Sequence, residues 1–387
     1  MGNMRISVGL FCRVLPHYRI PIFERLANVA DIDLTVYYSR EPRHFSLRTV
    51  DPQDLFSNRR IALRTFRFCG QDVYLQPELR RVVASGKHEV VVLYANPRLL
   101  STFPALLAAR KRKVGVVWWS MGVSPNQSSV TLAIRLWLMH IPDAILLYTK
   151  DERDYFVSKG LPQERVFVAQ NTICVKAETE AAKKWSKDKL ERFVIERGLE
   201  GKRLFLFCGR LRERKGIELL LEAFKLLLSE DPRYHLCMIG PGDSQRRFSE
   251  LSQQKGIGSA ITWLGPIYDS NKLAPWFLVS RALVVPRAIG LASFHGFAYG
   301  LPCITSDERC YQTPEATGLL DEFNCLLFRD GNVTDLVEKM KMIDENDELF
   351  ANLSLNAKRT MDEEYTVDKM VNGFCEAIRY AKACVSR

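Results

Sequence analysis

A short run of almost uninterrupted apolar residues, followed by a helix-forming stretch, recurs along the first half of this 387-residue chain. A strand with one face in water alternates apolar and polar residues, whereas a run apolar at nearly every position belongs to a sheet covered on both sides. Arg5–Phe11, Asp33–Tyr38, Glu89–Ala95, Val114–Trp119, Ala144–Tyr148 and Val166–Ala169 read as such strands. Helical stretches such as Ile22–Ala30 and Ser101–Lys113 lie between them. This alternation implies parallel strands joined by crossover helices, a doubly wound α/β sheet.

The rhythm breaks at KAETEAAKKWSKDKLERFVIERGLEGK, Lys176 to Lys202, where the composition turns charged and helix-forming. It resumes with RLFLFCG, Arg203–Gly209, and an amphipathic helix carrying Ile217, Leu220, Leu221, Phe224, Leu227 and Leu228. Further strands are expected at His235–Ile239, Ile261–Leu264, Ala282–Pro286, Cys303–Ser306 and Cys325–Phe328. We therefore expect a first Rossmann-like domain over residues 1–178 and a charged helical linker over 179–202. A second Rossmann-like domain is expected over 203–360, with a C-terminal helix over 361–387 packing back towards the first.

Charge is uneven. Residues 1–175 hold 24 Lys and Arg against 14 Asp and Glu, which accounts for the whole net charge of +10. An acidic ligand, an anionic membrane surface or a merely solvated basic face would each suit such a half. No nucleic-acid recognition module is present, and we expect no nucleic-acid partner. The ten cysteines are scattered without a Cys-x-x-Cys pair, as in a reduced, cytoplasmic protein. The N-terminal apolar run is too short for a signal peptide, and no stretch is long enough to span a bilayer. The basic run Ala109–Lys113 and the segment Ser129–Pro142 fit peripheral contact at the cytoplasmic face of a membrane. Asp31-Ile32-Asp33 has the spacing of a metal-binding acidic pair but reads as a turn before a strand, so no metal site is expected. No Gly-x-Gly-x-x-Gly follows the first strand, which argues against a nicotinamide or flavin cofactor.

The segment FCGRLRERKG, Phe207 to Gly216, ends a strand at Cys208 and turns at Gly209. Arg210 and Lys215 project before a helix opens near Ile217. Two cations are thus gathered with helix-end N–H groups at the C-terminal edge of a parallel sheet, where doubly wound folds bind ligands. A pyrophosphate suits them, because Arg can hold phosphate oxygens with two parallel bonds and Lys supplies a point charge. Read by itself, the same segment also fits a solvated loop.

Residues further along the chain narrow the choice. MIGPGD ends a strand at Met238–Asp243 and includes Gly240, and WLGPIYD comes after it at Trp263–Asp269. LVVPRAIGLASFHGFAYGLPCITSD runs from Leu283 to Asp307, and a Pro314-Glu315 pair comes next. In this order the landmarks resemble glycosyltransferase family 4, whose members have the GT-B architecture of two Rossmann-like domains facing each other across a cleft. The resemblance implies transfer of a sugar from a nucleotide-diphosphate donor to a hydroxyl of a glycan or lipid-linked saccharide, with retained configuration. It implies no metal and no cofactor beyond the donor itself, and it fits surface polysaccharide or glycan synthesis.

By that resemblance Arg210 and Lys215 act on the donor diphosphate as catalytic cations, with Gly209, Gly240, Gly290, Leu291 and Glu315 also at the donor. Family members commonly carry a Glu-x7-Glu pair where this chain has Arg287 and His295, the mark of a divergent branch. His295 can still bond a ribose hydroxyl, and Arg287 can add a phosphate or carboxylate contact. The acceptor is expected on the first domain. There CRVLPHYRIPIF, Cys12–Phe23, resembles the family's Pro-x-Tyr-Arg-x-Pro loop and contributes His17, Tyr18 and Arg19. Ser120, Met121 and Gly122 stand where relatives have Gly-His-Gly after a Trp. Met121 cannot exchange protons, so any acid–base role at that position is lost here. The replacements at 287, 295 and 121 also leave open a catalytically inactive GT-B protein that binds nucleotide or glycan as a partner subunit.

Overall fold

The computed structural model describes residues 5–40, 49–68, 70–94, 96–121 and 129–386. The chain divides into two compact units, Met1–Cys174 together with Val367–Arg387, and Val175–Thr366.

The first unit contains strands β1 (Ile6–Phe11), β2 (Ile32–Tyr38), β3 (Ser57–Arg60), β4 (Arg64–Phe68), β5 (Gln71–Leu75), β6 (Val90–Tyr94), β7 (Gly115–Trp119), β8 (Ala144–Leu147) and β9 (Val166–Val168). Its helices before residue 174 are α1 (Ile20–Ala27), α2 (Pro77–Ala84), α3 (Thr102–Arg112), α4 (Ser129–Met139) and α5 (Lys150–Ser158). Seven strands form one parallel sheet in the order β3-β2-β1-β6-β7-β8-β9. Period-two alternation sends Val8, Leu10, Val90, Val92, Val117 and Leu146 into one buried cluster. Phe11, Val91, Leu93, Val116, Ile145 and Leu147 enter another. Both faces are covered, which is why these strands read as continuous apolar runs. The hairpin of β4 and β5 is antiparallel, and every residue of β4 is exposed.

The second unit contains α6 (Lys176–Ala182), α7 (Lys187–Glu196), β10 (Arg203–Cys208), α8 (Ile217–Glu230), β11 (Tyr234–Ile239), α9 (Gln245–Gln254) and β12 (Ile261–Gly265). It continues with α10 (Ser270–Leu278), β13 (Ala282–Val284), α11 (Ala292–Ala298), β14 (Cys303–Ser306), β15 (Cys325–Phe328), α12 (Val333–Glu345) and α13 (Asp347–Arg359). Its six strands are parallel in the order β12-β11-β10-β13-β14-β15. The charged segment expected as a linker over 179–202 is instead part of this unit, which starts at Val175. Its charges stay in water while Ala181 and Phe193 are buried, and the Phe193 ring stands 4.9 Å from Trp276.

The last helix, α14 (Val367–Ser386), belongs to the first unit. Met370, Phe374, Ala377, Ile378 and Ala381 enter the cluster beneath the sheet, and Phe374 packs edge-on against Trp119 at 5.0 Å. Asp31 is taken by Arg379 of this helix through bonds of 2.8 and 2.9 Å, so it serves packing. Gly373 lies so near the β9 backbone that a Cβ there would stand 2.1 Å from the Val168 carbonyl oxygen. Gly373→Ala should therefore destabilise the first unit by about 1–3 kcal/mol through overpacking. Thermal unfolding reads this as a lower melting temperature, and an unchanged value would mean that the helix is not seated this closely.

Candidate functional site

In each sheet the strand order reverses beside the first strand, and ligands of doubly wound folds bind outside the carboxyl ends at such a reversal. In the second unit it falls between β10 and β13, which are neighbours. The loop after β10 begins at Gly209 with φ 155°, and Gly240 at the end of β11 has φ 144°. A Cβ on Gly240 would stand 1.9 Å from the Gly209 carbonyl oxygen, so only glycine lets the two turns approach. A Cβ on Gly209 would in turn lie 3.8 Å from Lys215 Nζ, which brings that ammonium over the turn.

Lys215 binds the two loops together. Its Nζ donates to the Ala288 carbonyl and, at 3.4 Å, to that of Ile289, while its own carbonyl accepts from the Arg287 N–H at 3.1 Å. Ala288 has φ 51°, a left-handed conformation that costs a non-glycine residue about 1–2 kcal/mol. Gln312 helps to hold it, because its Oε1 accepts from the Ile289 N–H at 3.1 Å. Its Nε2 donates to Thr305 and Ser306 at 3.0 and 3.1 Å. Gly290 and Leu291 come next and lead into α11.

Burial, then the charge of Arg214, pushes the Lys215 ammonium down to about 8, against the opposing pull of the buried Glu315. Burial raises the Cys208 thiol to about 12, so it stays protonated beside that cation. Arg210, half-buried, follows Gly209 directly. The turn thus gathers the Lys215 ammonium and the half-buried Arg210 in one short segment.

The reversal in the first unit falls between β1 and β6. Beyond the strand ends is a cavity of about 100 Å³ lined by Cys12, Arg13, Tyr18, Arg19, Tyr94, Trp119 and Tyr148, among others. Of the residues expected to hold an acceptor, Tyr18 and Arg19 line it. His17 is exposed with its ring 5.7 Å from Tyr18, Ser120 is buried with Oγ donating to the Met121 carbonyl at 2.6 Å, and Met121 is exposed. Neither Ser120 nor Met121 lines the cavity. Gly122 lies outside the described residues.

Residues 189–360 match the family model of the group 1 glycosyl transferases. The O-antigen chain mannosyltransferase C of Escherichia coli is 25% identical over 179 residues, covering 45% of this chain and 46% of the relative. An uncharacterized glycosyltransferase of Haemophilus influenzae is 24% identical over 177 residues, covering 45% of this chain and 48% of that one. The chain thus spans about half the length of the curated relatives it matches. The crystal structure of Anabaena HepE in complex with UDP matches across both units, with a TM-score of 0.73 and 15% identity, covering 97% of this chain and 99% of that one. At that identity the likeness establishes fold, and the fold is GT-B: two Rossmann-like units.

Within the group 1 region, two residues expected at the donor have partners that no local motif announces. Arg287 forks onto Asp330, with Nε to Oδ1 at 2.7 Å and a second bond from Nη2 to Oδ2, and its guanidinium lies 4.4 Å from the centre of the Tyr311 ring. The pair raises Arg287 and lowers Asp330. His295 places Nδ1 3.0 Å from the carboxylate of the buried Glu178 on α6.

Because burial lowers Lys215 to about 8, an anion held at this turn, with UDP as the probe, should bind less tightly as pH rises from 7 to 9. Titration calorimetry across that range should show the fall in the wild type and a flat, weaker profile in Lys215→Met. A wild-type profile as flat as that of the variant would remove Lys215 from the diphosphate.

Proposed function

We propose that this protein is a glycosyltransferase that moves a sugar from a nucleotide-diphosphate donor to a hydroxyl of a glycan or lipid-linked saccharide. The observation that carries the reading is the pair of cations at the Gly209 turn, set at the strand-order reversal of the second sheet. When the bond between sugar and diphosphate breaks, negative charge gathers on the departing phosphate. A preorganised ammonium and guanidinium stabilise that charge more than they stabilise the ground state. Two cations at one turn can do this without a metal, and the anomeric configuration is retained in this proposal. The Anabaena neighbour is solved with UDP and with UDP-glucose, and the Escherichia coli relative is named for O-antigen chain synthesis. These support a nucleotide-sugar donor and a role in surface polysaccharide or glycan synthesis.

In the donor site Gly240 lets the backbone close up, and Gly290, Leu291 and Glu315 complete the anion-facing loops. His295 offers Nε2 to a donor hydroxyl in place of a carboxylate. Arg287 acts here through Asp330, bracing the loop after β13 and leaving the phosphates to Lys215 and Arg210. The acceptor is held by the first unit through Tyr18 and Arg19.

No helix among the described residues is long and apolar enough to cross a membrane. Phe103 and Leu107 on α3, ahead of Arg110, Lys111 and Arg112, and Ile134 and Trp137 on α4 are exposed. These residues support peripheral contact with an anionic membrane at its cytoplasmic face.

The test is thermal unfolding against a panel of UDP-, GDP-, dTDP- and CMP-sugars with EDTA present, followed by turnover with the donor that stabilises. One donor should raise the melting temperature in EDTA. Arg210→Ala should lower turnover by about 10²–10³-fold. Stabilisation without turnover by any tested acceptor would favour a catalytically inactive binding subunit, and a requirement for a divalent metal would refute the two-cation chemistry.

A further inference from the structure

Arg19 is a cation in an unusual setting. Only 7% of its surface is exposed, and among the described residues no carboxylate pairs with it. Its Nη2 donates to Asn171 Oδ1 at 2.5 Å and its Nη1 faces Met370 S at 3.4 Å. The guanidinium is otherwise enclosed by aromatic rings, with centroids at 5.3 Å for Tyr18, 5.3 Å for Trp119 and 5.6 Å for Tyr148. Removing a guanidinium from water without a counter-charge costs several kcal/mol. Stacking on rings returns only about 0.5–2 kcal/mol per contact. A residue serving packing alone would be better uncharged.

The surroundings repeat the same chemistry. A second guanidinium, that of Arg13, lines the same cavity and lies 4.3 Å over the Tyr74 ring. No acidic residue is among the lining given by the described residues. Trp119, another wall of the cavity, has its Nε1 buried with no hydrogen-bond partner among the described residues. A buried N–H of this kind calls for an acceptor. Two cations, an unused indole donor and flat apolar walls therefore meet at the strand-order reversal of the first sheet, in the unit that carries the chain's positive charge.

We infer that this cavity is a subsite for an oxyanion carried on a sugar ring, a carboxylate or a phosphate monoester, held by Arg19, Arg13 and Trp119. Resting on the reading of the first unit as the acceptor side, the inference makes the acceptor an acidic saccharide. The oxyanion supplies the counter-charge that Arg19 lacks and the acceptor that Trp119 Nε1 lacks. The rings of Tyr18, Tyr94 and Tyr148 pack against the apolar face of the sugar. Two cations with no acid in the described lining favour an anionic sugar over a neutral hexose.

The test is titration calorimetry of the full chain with glucuronate, glucose 6-phosphate, inorganic phosphate and glucose, and with UDP in parallel. Glucuronate or glucose 6-phosphate should bind, and glucose should not. The one that binds identifies the anion as carboxylate or phosphate, and weaker binding of inorganic phosphate shows that the ring contributes. Arg19→Gln should abolish the response. Arg19 also tethers Asn171 and Met370, so Trp119→Phe serves as the second variant: it keeps the ring, removes only the N–H and should weaken the anion by about tenfold. Both variants should still bind UDP. Equal binding of glucose and the anions, binding undiminished in both variants, or no anion binding by a wild type that binds UDP would overturn the inference. Anion binding that depends on Arg19 in a protein indifferent to every nucleotide would instead remove the donor reading and leave the anion site standing.

Discussion

The ammonium of Lys215 is the interaction on which the second unit's chemistry turns. It lies over the Gly209 turn after β10 and donates to two carbonyls in the loop after β13, so one side chain sets the spacing of two loops. The cation must be half-buried to do this, and that burial lowers its affinity for a proton. It is also what makes the charge effective, because an anion meeting it there is less screened than in open water. Ala288, in a left-handed conformation, is held by Lys215 on its carbonyl and by Gln312 on the next N–H. Geometry, strain and electrostatics of the turn thus have one origin.

The first unit meets a different constraint. Its sheet is covered on one side by a helix from the far end of the chain, and contact is close enough that Gly373 and Gly115 have no room for a Cβ. Met370 on that helix touches Arg19, and Phe374 touches Trp119. The walls of the aromatic cavity are therefore braced by the C-terminal segment. Their shape depends on α14 being seated, although the helix itself does not line the cavity.

Much of this was legible from the chain alone, for physical reasons. Strands buried on both faces must be apolar at nearly every position, and those of both sheets stand within a residue or two of where their runs lie. Strands β3, β4 and β5 left no such signal because their side chains are largely in water. Residues 179–202 looked like a linker because their exposed charges outnumber the few side chains, such as Phe193, that anchor them. Gly209, Arg210 and Lys215 could be found because one turn gathers them within a few positions. Asp330 beside Arg287 and Glu178 beside His295 could not, since each partner arrives on a distant element. Nor could the cage around Arg19, whose rings come from three different loops and strand ends.

The most direct measurement is a crystal structure of the protein with UDP, grown in EDTA. Our account predicts the diphosphate at the Gly209 turn, with its oxygens on Lys215 Nζ and the Arg210 guanidinium and no metal between them. A diphosphate bound away from that turn, or reached only through a metal ion, would contradict it.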